Sequence, residues 1–157
     1  LNPRYDKAYN IRGNVYFDKE KYDKAIDDYT RAIKLNPRYY KAYTNRGIAY
    51  HYKKKYNKAI EDYTKAIKLA PRYCPAYYNR GIAHHYKKKY IKAIEDYTKA
   101  IKLAPRFDNA YYNRGIAYRM THQSGKAVED FKKANEIVRQ FGSEAGWKAE
   151  TVWDSVR

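Results

Sequence analysis

The chain has 157 residues, with 34 Lys and Arg against 17 Asp and Glu and a formal net charge of +17. That length is enough for one domain with a sizeable core. The cation excess points toward acidic partners, whether peptides, nucleic acid or an anionic membrane surface. No apolar run of about 18 residues is present, which excludes membrane insertion through a spanning helix. The lone Cys74 excludes an internal disulfide and a cysteine metal cluster, and it fits a reducing, cytoplasmic setting.

Residues 1–5 (LNPRY) repeat at 35–39, so the opening reads as the tail of a preceding repeat and the chain as a piece of a longer array. Four copies follow, over 6–39, 40–73, 74–107 and 108–141. The middle two differ only at Tyr40/Cys74, Lys41/Pro75, Thr44/Tyr78, Tyr50/His84, Asn57/Ile91 and Tyr73/Phe107. Gly13, Gly47, Gly81 and Gly115 mark one slot, and Ala25, Ala59, Ala93 and Ala127 mark another. Each copy reads as two helices. In the second copy, Ala42, Tyr43, Arg46, Gly47 and Tyr50 share one helical face, as do Tyr56, Ala59, Ile60, Tyr63, Ala66 and Ile67. Pro71 ends the second helix because it disfavours helical geometry at Ala70. A single hairpin of this kind cannot bury its stripe, so the copies must stack.

The fourth copy has Arg139 where the others have proline, so its second helix is expected to run on. Gly142 should then stop it, and 142–157 is expected to form a capping helix with Ala145, Ala149, Val152, Trp153 and Val156 as its apolar stripe. Arg12, Arg46, Arg80 and Arg114 occupy one slot, and Asp28, Asp62, Asp96 and Asp130 another. The two slots lie level if each hairpin closes, which predicts an ion pair within every repeat.

Tyr43, Gly47, Tyr50, Ala59, Tyr63, Ala66 and Pro71 together resemble the tetratricopeptide repeat, with Tyr in the family's leading Trp slot. The resemblance covers residues 6 to about 138 and implies an all-α, right-handed superhelical solenoid of stacked antiparallel helix pairs. It also implies that first helices line a concave face that takes peptides. The inner-face positions that it implies include Asn10 and Asn14 in the first copy, and Asn45, Ile48 and Tyr52 in the second. They continue with Tyr78, Asn79, Ile82 and Tyr86, then Tyr112, Asn113 and Ile116. Asn45, Asn79 and Asn113 would form a ladder of amides pairing with the backbone of an extended segment. On that reading Asn79→Ala weakens binding while barely changing stability. The Lys and Arg positions of the family's carboxylate clamp fall on Asn10, Pro75 and Asn79 in one frame, and on Thr44, Asn109 and Asn113 in the next. None is a cation, so that clamp is not expected.

Lys53, Lys54 and Lys55, with Lys87, Lys88 and Lys89, fall at the ends of first helices, where cations suit the helix dipole. They form a basic rim that could steer an acidic partner. No phosphate loop, nucleophile motif or zinc spacing is present, and His84 and His85, adjacent on a helix, point about 100° apart and cannot chelate together. The expected function is therefore non-catalytic binding of a protein or peptide segment as a scaffold or adaptor, with no cofactor and no metal. Polyanion (RNA) binding through the lysine rim is the first alternative, and self-assembly through repeat stacking is the second.

Overall fold

A computed structural model describes residues 4–142, and the expected capping helix lies outside them. All regular structure among the described residues is helical, in eight helices: α1 (Arg4–Asp18), α2 (Tyr22–Leu35), α3 (Tyr40–Tyr52), α4 (Tyr56–Leu69), α5 (Cys74–Tyr86), α6 (Tyr90–Leu103), α7 (Asp108–Met120) and α8 (Ser124–Phe141). The chain is a helical repeat solenoid, in which each copy contributes a first and a second helix. It divides into two compact units, residues 4–71 and 72–142. In the first, α2 packs between α1 and α3, and α4 closes on α3; in the second, α6 packs between α5 and α7, and α8 closes on α7.

The repeated small residues explain these pairings. An added Cβ at Gly47 would lie 2.6 Å from the Tyr63 ring, and at Gly81 it would lie 2.7 Å from the Tyr97 ring. The second helix thus presses an aromatic ring onto bare backbone of the first, and Gly is the only residue that leaves room. Ala59 and Ala66 flank Tyr63 on α4, Ala93 and Ala100 flank Tyr97 on α6, and all four are fully buried. Burying each such ring contributes about 1.5–3 kcal/mol relative to exposure.

The turns between first and second helices share one geometry. Glu20, Lys54, Lys88 and His122 all adopt left-handed backbone, with φ between 56° and 59°. The connections from second to first helices carry Pro37, Pro71 and Pro105, which stop α2, α4 and α6 two residues earlier. With Arg139 in that slot, α8 reaches Phe141 and ends at Gly142, whose φ is 77°.

Candidate functional site

A repeated side-chain cluster sets the orientation of each first helix. Arg46 grips Asp62 with two bonds of 2.8 Å, and its third nitrogen donates to the Thr30 hydroxyl at 3.0 Å. Arg114 repeats this against Asp130, with bonds of 2.7 and 2.8 Å, and against Thr98 at 3.0 Å. Arg12–Asp28 and Arg80–Asp96 are paired in the same two-pronged way. Tyr43 and Tyr50 flank the Arg46 guanidinium, and Tyr111 and Tyr118 flank that of Arg114. Each arginine therefore ties its own hairpin shut, and two of them are seen to reach the preceding repeat as well.

The asparagine slot is not where the sequence suggested. Asn10, Asn45 and Asn79 are buried, with Asn45 only 6% exposed. Asn45 Nδ2 donates to Asn10 Oδ1 at 3.1 Å and to Asn14 Oδ1 at 3.2 Å, while Asn79 Nδ2 donates to the Pro75 carbonyl at 3.0 Å. Asn113, half-buried, donates to the Tyr78 hydroxyl at 2.8 Å. The expected ladder toward a bound peptide is thus replaced by amides spent inside the array. The reason is positional: on α3 and α7 the slot faces the neighbouring first helix, where an unpaired amide would cost about 1–3 kcal/mol. Ile48 and Tyr78 are buried too, so they are packing residues and not surface contacts. Asn45→Ala should accordingly lower stability by about 1–2 kcal/mol in urea denaturation, leaving Asn10 and Asn14 without their shared donor.

What stays on the surface differs between the units. In the first, Ile11 is 62% exposed and Val15, four residues on, is also open. Tyr52 is exposed at its edge but stacks on Tyr22 at 5.4 Å and meets Phe17 edge-on at 5.1 Å. In the second, Tyr112, Ile116 and Met120 form a stripe along α7, the outer two 53% and 47% exposed. Ile82 is half-buried, and Tyr86 is exposed at the end of α5. Val15 was missed in the sequence because only its distance from Ile11, one helical turn, marks it as a member of the stripe.

The lysine runs occupy two kinds of helix end. Lys53 and Lys87 cap the ends of α3 and α5, where the dipole favours a cation. Lys55 and Lys89 sit at the starts of α4 and α6, where it disfavours one. Lys53 forms an ion pair with Asp23. Lys54, Lys55, Lys88 and Lys89 are exposed.

Against this geometry stand the comparisons. The tetratricopeptide repeat profile matches residues 6–39, 40–73 and 74–107, and a second profile of the same description matches 96–129. The chain belongs to the tetratricopeptide repeat family. No curated protein matches it. Among solved structures it resembles MamA at 30% identity and a TM-score of 0.83, over 88% of this chain and 81% of that one. It resembles the Arabidopsis OM64 tetratricopeptide domain at 28% identity and a TM-score of 0.74, over 76% and 98% of the two chains. The first tetratricopeptide domain of Spaghetti (RPAP3), bound to the HSP90 peptide SRMEEVD, matches at 27% identity and a TM-score of 0.66, over 88% and 97%.

Within this tetratricopeptide array the third copy carries a buried histidine that the others lack. His84 takes the slot of Tyr16, Tyr50 and Tyr118. Its Nε2 lies 3.8 Å from Asp96, and its Nδ1 is buried with no hydrogen-bond partner. Burial, reinforced by Arg80, Lys92, Lys89 and Lys87, pulls the imidazole down to about 4. The unfolded chain therefore binds this proton first, and the histidine's contribution is lost as pH falls from about 6.5 toward 4. His84→Tyr should raise the melting temperature at pH 7 and flatten its decline between pH 6.5 and 5, measured against the parent chain. His51 and His85 are also lowered by burial and sit edge-on to Tyr56 and Tyr90. Burial pushes the Cys74 thiol up to about 12, so it is a packed, unreactive side chain. Among the described residues no helix is long and apolar enough to cross a membrane, and no three His, Cys, Asp or Glu are grouped to hold a metal ion.

Proposed function

We propose that the chain is a non-catalytic scaffold that binds a segment of a partner protein on the exposed faces of its first helices. Tetratricopeptide proteins generally mediate protein–protein interaction, and a related domain holds a short peptide. The observation that carries the reading is the α7 stripe. Tyr112, Ile116 and Met120, each four residues apart, present an aromatic and aliphatic stripe along α7, with Tyr112 braced at one end by the Phe131 ring at 5.5 Å and still 53% exposed. A rigid helix bearing a large ring beside a flexible thioether suits an apolar anchor of a partner. Ile11 and Val15 offer a smaller patch of the same kind on α1. Ile82 and Tyr86 on α5, and the half-buried Asn14 and Asn113, would contribute secondary contacts.

The cationic clamp positions that would hold a terminal carboxylate are filled by Asn10, Pro75 and Asn79, or by Thr44, Asn109 and Asn113. Recognition here would therefore rest on apolar anchors and not on a chain end. A photo-crosslinking amino acid placed at Tyr112 should capture discrete proteins from a cell lysate, while the same group at the exposed Lys102 of α6 should not. Equal labelling at both positions would refute the assignment.

A further inference from the structure

The four turns that join first to second helices have one backbone path and unequal charge. At the turn after α7 the left-handed residue is His122 and the residue preceding α8 is Gln123, so the path closes without any lysine. At the turn after α1, Glu20 and Asp23 offset Lys19 and Lys21, and Asp23 also pairs with Lys53. The turns after α3 and α5 hold no acidic residue of their own, although Asp23 pairs with Lys53 and its field reaches Lys55. Lys54 and Lys88 hold left-handed backbone, where glycine is favoured. Lys55 and Lys89 precede α4 and α6, where Ser, Thr, Asp or Asn is favoured, and neither helix has a side-chain cap or an acidic residue in its first turn. Each of these lysines occupies a backbone position that favours a different residue, and the four are exposed. The path itself does not require lysine, since the α7 turn closes the same way with His122 and Gln123.

We infer that the lysine turns after α3 and α5 are docking points for the acidic flanks of a partner polypeptide, an inference that rests on the protein-binding reading above. Tyr52 and Tyr86 immediately precede the two runs and are exposed, so each turn sets a ring beside a cluster of cations. That combination fits a segment in which carboxylates stand next to apolar side chains. A nucleic acid fits less well. Glu61 and Glu95 are exposed on α4 and α6 among the exposed lysines of those helices, so a continuous phosphate backbone leaving the turns would meet charges of both signs.

The test uses the whole chain and three labelled probes: octaglutamate, octaglutamine and octauridylate RNA, followed by fluorescence anisotropy. Octaglutamate should bind, octaglutamine should not, and affinity should fall as salt rises from 50 to 200 mM. The variant Lys54→Gly, Lys55→Asp, Lys88→Gly, Lys89→Asp supplies the residues these backbones favour. Its melting temperature should rise by about 2 °C or more while octaglutamate affinity drops at least tenfold. A control with Lys34→Asp, Lys68→Asp and Lys102→Asp removes the same net charge from exposed second-helix positions and should keep affinity within twofold of the parent. Absent octaglutamate binding, an equal loss in the control, or unchanged affinity in the turn variant would each overturn the inference. Tighter, turn-dependent binding of octauridylate would overturn it in favour of nucleic acid. Octaglutamate carries no apolar side chain, so its failure leaves the crosslinking result at Tyr112 to stand or fall separately.

Discussion

Gly47→Ala is expected to destabilise the protein by about 3 kcal/mol or more, although alanine is the better helix former by about 1 kcal/mol. The added methyl would lie 2.6 Å from Tyr63 Cε1 and 2.9 Å from Cδ1. Tyr63 cannot retreat, because it is itself almost fully buried among Ala59 and Ala66 of its own helix. The helix pair must separate, and separation loosens every contact along the α3–α4 seam. Chemical denaturation of Gly47→Ala, Tyr63→Leu and the double variant would measure the coupling. Smaller Leu relieves the collision, so the double variant should be more stable than the sum of the two single losses predicts. Strict additivity, or a stabilised Gly47→Ala, would show that the two helices are not held at backbone contact.

Asp62→Ala should cost about 3–5 kcal/mol, because it strands the Arg46 guanidinium in a pocket built to pair it. Burial pushes the Asp62 carboxyl upward while the Arg46 bonds oppose that, so the pair is held as much by geometry as by charge. Arg46 is 17% exposed, whereas Arg12 is 52% exposed. The same change in the first copy, Asp28→Ala, frees an arginine that water can reach and should therefore cost about half as much or less. The comparison controls for the lost carboxylate, since Asp28 and Asp62 are both buried. Equal losses at the two sites in matched urea titrations would mean that the packing of the aspartate, not the stranding of the arginine, sets the cost. Replacing Arg46 and Asp62 together by Leu and Ala should recover part of the loss.

The parts of the fold that were legible in the sequence are those fixed by contacts inside one repeat. Gly47 faces Tyr63 and Arg46 faces Asp62 at the same sequence interval. Two helices joined by a tight turn can meet in only one register, so periodic spacing reveals these partners. Arg139 likewise foretold the longer α8, since a missing proline acts locally. The asparagines were misread because their environment is made by the neighbouring copy. Asn45 is buried by α1, whose Asn10 and Asn14 accept its bonds, and nothing in 40–73 alone discloses that. The lysine runs were misread in part for a related reason. Sequence placed all three residues of each run at the end of a first helix, but the turn is so short that Lys55 and Lys89 already belong to the start of the next.

Those short, regular intervals bear on how such a gene can change. Arg46 reaches Thr30 and Arg114 reaches Thr98 across sixteen residues, and Asn45 reaches Asn10 and Asn113 reaches Tyr78 across thirty-five. Each of these four partners is found by counting back a fixed distance, whereas Asn79 bonds within its own helix to Pro75. Unequal recombination between the nearly identical stretches 40–73 and 74–107 would add or remove one whole period and restore the same distances on either side of the join. The arginine bonds recur with the same 34-residue period as the sequence, so such an array can grow or shrink between generations while keeping the contacts that close each hairpin.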